Sequence, residues 1–239
     1  MNLRKLHYVT ICCLLGLFVG LTACTNGGKQ VSYDKGIDEE KDSFVNQAIA
    51  KDPEYALLLI DSLEDKKIIS EYLSNYYRGQ AYSKLGQELS AELYYKRALT
   101  NDEIYQEHPA LYYYICDQLS TILTNKGDQD GAVSIATEAY ARVQKDTTQA
   151  GHSWTAVLLH DIGYSLMQLG RHEEAEKSFT QSWNTLKQLV TENPSFDNLY
   201  TWARITYNII DAYTSTEQFH QAEPWLAQGE EAITRLTSS

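Results

Sequence analysis

From Lys41 to the last residues of the chain, apolar side chains recur at i, i+3 and i+4, and Gly or Pro punctuates the runs. That period belongs to helices with one buried stripe. It predicts an all-α fold with helices over 41–51, 54–64, 67–85, 88–100, 108–125, 128–145, 152–169, 172–191, 197–215 and 219–236. The helices fall into pairs in a common register. Ala56, Ala91, Ala132, Ala175 and Ala222 align, with Ile60, Tyr95, Ala136, Phe179 and Leu226 four residues on. Leu63, Ala98, Ala139, Ser182 and Gly229 follow three beyond those. Nine residues before each Ala stand Gln47, Tyr82, Leu123, Leu166 and Tyr213. Twelve before stand Phe44, Gly79, Ser120, Gly163 and Ile210.

The register has a physical reason. Two antiparallel helices approach closely only where one offers a small residue to a bulge on the other. Gly86, Gly127 and Gly170, each five residues before its Ala, suit the left-handed turn that ends a helix, and Asp128 is placed to cap the next one.

Gly79 and Tyr82 with Leu85-Gly86, Ala91, Tyr95 and Ala98 resemble the tetratricopeptide repeat (TPR), as do Gly163 with Leu169-Gly170, Ala175 and Phe179. The resemblance extends over about 41–236 as five pairs. The outer two are degenerate, with Lys51 and Glu217 in place of the turn glycine. The anchor alanines lie 35, 41, 43 and 47 residues apart, against about 34 in the standard repeat. The middle pairs therefore resemble the long-helix variant of kinesin light chains and bacterial signalling proteins. The resemblance implies a right-handed superhelical array of antiparallel helix pairs, a TPR-like α-solenoid, with a groove lined by the first helix of each pair. The family's groove positions correspond to Tyr76, Gln80 and Lys84; Tyr114, Asp117, Thr121 and Asn125; His160, Tyr164 and Met167; and Arg204, Tyr207 and Asp211. Tyr and Arg are residues that binding hot spots favour, and all of these are expected to face solvent in the free protein. Tyr76 and Gln80 stand where chaperone-binding TPR domains carry the Lys and Asn of a carboxylate clamp, so that ligand is not expected.

The amino terminus reads as an address. Arg4 and Lys5 precede a 13-residue apolar run, Tyr8 to Gly20, too short for a confident membrane span and suited to a signal peptide. Leu21-Thr22-Ala23-Cys24 resembles the bacterial lipobox, which implies a signal over 1–23, cleavage before Cys24, and lipid on that cysteine. Thr25 in the second mature position, by resemblance to lipoprotein sorting rules, points to the outer membrane facing the periplasm. Residues 24–40 read as a polar tether spanning roughly 20–25 Å as a coil, with the array over 41–239.

The chain has 239 residues, with 20 Lys+Arg against 32 Asp+Glu and a net charge of −12. Without Arg4 and Lys5, 18 basic residues face 32 acidic ones and the charge is −14. Nucleic acid is therefore excluded as a partner. Cys12 and Cys13 leave with the signal and Cys24 is modified, so Cys116 is expected to be a lone, buried thiol. His172-Glu173-Glu174-Ala175-Glu176 lacks the second His of a zinc helix. Around Asp128-Gln129-Asp130-Gly131 an EF-hand register would put Lys126 first and Thr137 last, which fails. His160 and Asp161, about 100° apart round a helix, are not expected to face each other. No catalytic residue, cofactor or metal site is expected.

The expected function is a membrane-anchored scaffold that binds a protein or peptide without catalysis. The alternative is the extracytoplasmic sensory part of a signalling system, since residues 51–64 (KDPEYALLLIDSLE) resemble TPR regions that precede histidine kinases. In the last helix, Phe219, Ala222, Leu226, Gly229, Ile233 and Leu236 form the expected inward stripe, with Trp225, Ala227 and Ala232 beside or outside it. With only three residues after Leu236, this pair is expected to be covered by another chain, such as a second copy, or to fray. Alternatively Gln218, Gln221, Gln228, Glu230, Glu231 and Arg235 serve as a polar cap.

Overall fold

The computed structural model describes residues 39–100, 102–147 and 149–238, and among these there are eleven helices and no strand. The expected signal, Cys24 and all but the last two residues of the expected tether lie outside the described residues. The helices form two compact units that divide between Ala139 and Tyr140. The first contains α1 (Glu39–Lys51), α2 (Pro53–Asp65), α3 (Glu71–Lys84), α4 (Glu88–Ala98), α5 (Glu103–Glu107), α6 (Pro109–Asn125) and most of α7 (Gln129–Val143). The second contains α8 (Gln149–Gln168), α9 (His172–Glu192), α10 (Phe196–Ser215) and α11 (Phe219–Thr237). Within each unit helices pack on the next and the next but one: α1 on α2 and α3, α8 on α9 and α10.

The starts of α2, α3, α7 and α10 are fixed by side chains that accept an otherwise unpaired backbone N–H. Asp52 accepts from Tyr55 N at 3.0 Å, ahead of Pro53 at the first helical position. Asp128 accepts from Gly131 N at 3.0 Å, the capping role expected of it. The ends of α2, α3, α6, α8 and α10 are closed by left-handed residues. Gly86, Gly127 and Gly170 have φ of 70°, 82° and 74°. In each case the following N–H bonds back across the last turn, as Gln87 N does to Tyr82 O at 2.9 Å. Glu217 (φ 61°) and Lys67 (φ 55°) make the same turn without being glycine, at a steric cost of roughly 1 kcal/mol. Lys67 explains why α3 begins at Glu71 and not at residue 67: Ile68 N bonds to Leu63 O to close α2, and Ser70 then caps α3. The short α5 was not foreseen, and α1 starts at Glu39, inside the expected tether.

The seam follows the repeat register. All five anchor alanines are fully buried. A Cβ on Gly79 would lie 2.5 Å from the Tyr95 ring, and one on Gly163 would lie 2.7 Å from the Phe179 ring. The small residue on the first helix therefore makes room for the aromatic on the second, in both units. Cys116 is buried, as its setting on an apolar helix predicts, and among the described residues it forms no disulfide.

The last helix departs from expectation. Its inward stripe is Ala222, Trp225, Gly229, Ala232 and Leu236, while Phe219, Leu226 and Ile233 are half-exposed. The helix is rotated so that Trp225 meets Trp183 edge-on at 6.1 Å. Burying the larger indole decides the rotation over Leu226.

Candidate interaction faces of the two units

In the first unit the predicted groove residues come from α3 and α6. Tyr76 is fully buried, which corrects the expectation that it faces solvent. Its ring lies 5.0 Å from Tyr77 and meets Tyr114 edge-on at 5.9 Å, and its hydroxyl accepts from Gln80 Nε2 at 2.8 Å. Tyr76 is thus a floor, with half-buried Gln80, Tyr114 and Asp117 above it. Burial pushes the Tyr114 phenol up, and the Asp117 charge adds to the shift. Asp117 Oδ2 accepts from Gln118 Nε2 at 2.9 Å. Lys84, Thr121 and Asn125 are exposed. Asn125 donates to Glu88 Oε1 at 3.2 Å.

Sequence reasoning missed an ionic group of this unit. The Glu92 carboxylate bridges Lys96 Nζ at 2.6 Å and Lys126 Nζ at 2.5 Å. The two ammonium groups hold its pKa below the usual carboxylate range. Lys96 is legible as an i, i+4 partner, whereas Lys126 is 34 residues away and meets Glu92 only through folding.

In the second unit α8 and α10 carry the predicted residues. His160 and Met167 are buried and do not face solvent, a second correction. His160 packs 6.1 Å from Phe179 and 6.2 Å from Tyr164. Its Nδ1 lies 3.1 Å from Asp161 Oδ1, so the adjacent pair does meet. Tyr164, Arg204, Tyr207 and Asp211 are half-buried. Burial raises the Asp211 carboxyl, and burial together with the Asp211 charge raises the Tyr164 phenol. Each unit therefore presents tyrosine beside a carboxylate on its first helices.

This surface offers area and hydrogen bonding rather than reactive groups. Among the described residues no three His, Cys, Asp or Glu side chains gather as a metal centre. No described helix is long and apolar enough to cross a membrane. A shallow polar depression runs along α9 from Glu176 to Gln188, lined by none of the predicted residues.

A tetratricopeptide repeat family model matches residues 74–105 and 156–182. These two stretches are tetratricopeptide repeats. The first TPR stretch runs from α3 to α5 and contains the Gly79–Tyr95 contact. The second runs from α8 into α9 and contains Gly163 and Phe179. Two crystal structures of nearly identical TPR-like repeats from a Podosopora anserina protein described as a kinesin light chain, one of them a point variant, share this fold. Their TM-scores are 0.55 and 0.54 at 16% identity, over 84% of this chain and 96% and 97% of theirs. At that identity the likeness is one of fold alone. No curated protein matches the sequence.

Proposed function

We propose that this chain is a lipid-anchored, non-catalytic scaffold that holds a protein or peptide against the first-helix faces of its TPR units. The observation that carries the reading is the set of half-buried Tyr114, Tyr164, Arg204 and Tyr207 on helices of a TPR-like fold. Partly desolvated aromatics and Arg bind with little loss of side-chain freedom. The test is affinity capture from a membrane extract, comparing wild type with the double variant Tyr164→Ala/Tyr207→Ala. A partner bound by these faces should lose more than about 1 kcal/mol, roughly fivefold in Kd. Equal retention by the double variant refutes the placement. Because both tyrosines are half-buried, the variant's circular dichroism must match wild type before binding is compared.

The anchor rests on the lipobox-like Leu21-Thr22-Ala23-Cys24 behind its apolar run. Acyl chains on Cys24 suffice to tether the acidic body, since each buried CH₂ contributes about 0.8 kcal/mol. Cys24→Ala should move the protein to the soluble fraction; a wild type that takes up no fatty-acid probe rules the anchor out. Thr25 favours the outer membrane, periplasmic side, as the destination. A sensory role draws on residues 51–64 and requires a kinase or response regulator among the captured partners. Half-exposed Phe219, Leu226 and Ile233 on α11 suit cover by a second copy, which light scattering across a concentration range tests.

A further inference from the structure

The second unit shows how one helix pair receives the next helix. Phe179, Trp183 and Leu186 stand four, eight and eleven residues after the anchor Ala175 and are buried. The next helix, α10, runs antiparallel over this side of α9: Tyr213 meets the Phe179 ring edge-on at 5.8 Å, and Trp202 lies 5.9 Å from Trp183. In α11 the same three positions after Ala222 hold Leu226, Glu230 and Ile233. Leu226 and Ile233 are half-exposed, and Glu230 is exposed. This side of α11 therefore has the register and the apolar side chains to receive one more antiparallel helix.

Its charge selects the occupant. Glu223 and Glu230 are seven residues apart, as Leu226 and Ile233 are, so exposed acids run beside the apolar pair along one stripe. Two α11 helices laid antiparallel on each other here would set Glu230 of one copy against Glu230 of the other. Like charge opposes that isologous contact. The incoming helix needs an apolar side chain for the gap between Leu226 and Ile233, and a base for the acids.

The first helix of this chain has both. Phe44 on α1 is 55% exposed. Lys51 is also exposed and stands seven residues further on, about 10 Å along the same face. Asp42, the acid nearest Phe44, is turned inward, where Tyr77 donates to it at 2.7 Å. With Phe44 seated between Leu226 and Ile233 and α1 antiparallel to α11, Lys51 arrives at Glu223, because Glu223 also lies about 10 Å from the middle of that gap.

We propose that α1 of one copy docks antiparallel on the Leu226–Ile233 face of α11 of a second copy, a head-to-tail contact between like chains. It rests on the reading that a second copy covers α11, and names the surface that copy uses. The test is sedimentation velocity on the full chain in detergent micelles in excess of protein, so that no lipid or apolar segment links two copies. Wild-type mass per particle should rise with concentration between about 1 µM and 1 mM. Phe44→Glu alone and Leu226→Glu alone should stay monomeric. Their equimolar mixture should form a dimer, because each supplies the surface that the other lacks. Lys51→Glu should weaken association by about fivefold or more, and Glu223→Lys in the same chain should restore it. Phe44, Lys51 and Glu223 are exposed, so their variants keep the test valid if Leu226→Glu unfolds α11. A wild type that is monomeric at every concentration overturns both this contact and the cover of α11 by a second copy. Association undiminished in Phe44→Glu, or a mixture that stays monomeric, overturns the head-to-tail contact alone.

Discussion

Gly163→Ala measures how closely α8 and α9 approach. The added methyl would sit 2.7 Å from Cδ1 and Cε1 of Phe179 and 3.2 Å from the Ala175 carbonyl oxygen. Carbon atoms in ordinary contact stand about 3.5–4.0 Å apart, so the ring must retreat by roughly 1 Å. It has little room. Phe179 is fully buried, with Tyr213 edge-on at 5.8 Å and His160 at 6.1 Å. Overpacking of this kind costs about 1–3 kcal/mol. Ala in place of Gly returns about 1 kcal/mol of helix propensity. The net expectation is a loss of about 1–2 kcal/mol, seen as a fall in Tm of roughly 2–8 °C by circular dichroism. Phe179→Leu alone leaves a cavity and should also destabilise, but the double variant should lose less than the sum by about 0.5 kcal/mol or more. A Gly163→Ala protein as stable as wild type, or more stable, refutes the steric argument, because helix propensity would then have won.

Two further substitutions probe separate parts of the fold. Glu92→Gln removes the charge held by Lys126 and Lys96, whose exposed ends limit the loss to about 0.5–1 kcal/mol. Because the folded pKa of Glu92 is depressed, its stabilisation is present above the ordinary carboxylate value and is lost as pH falls through the folded one. The gap between wild type and Glu92→Gln in urea melts should therefore close in acid; a gap that persists there removes the charge as its cause. Glu217→Gly relieves a left-handed residue (φ 61°) and should stabilise by about 0.5–1 kcal/mol, read as a higher urea midpoint.

Much of the fold was legible in the residues because helix period, caps and turn glycines are local. Gly86, Gly127 and Gly170 mark turns by their own backbone freedom, and Asp128 caps within three residues of itself. The Gly79–Tyr95 and Gly163–Phe179 contacts were also readable, since a fixed register between paired helices ties each small residue to its aromatic. Sequence placed Gln80, Tyr114, Asp117, Tyr164, Arg204, Tyr207 and Asp211 at groove positions, and in the structure they are half-buried. Tertiary structure decided the rest. Tyr76, His160 and Met167 occupy groove positions by register, yet neighbouring aromatics and helices close over them. A position on a helix gives a direction, but the bulk arriving from the next helix decides whether it stays open. Trp225 turned α11 for the same reason, with Trp183 supplying a partner 42 positions away in the chain. Lys126 reached Glu92, and Gln218 reached Met167, across separations at which sequence carries no geometric information. Such meetings are set only when the turns between the helices have been closed.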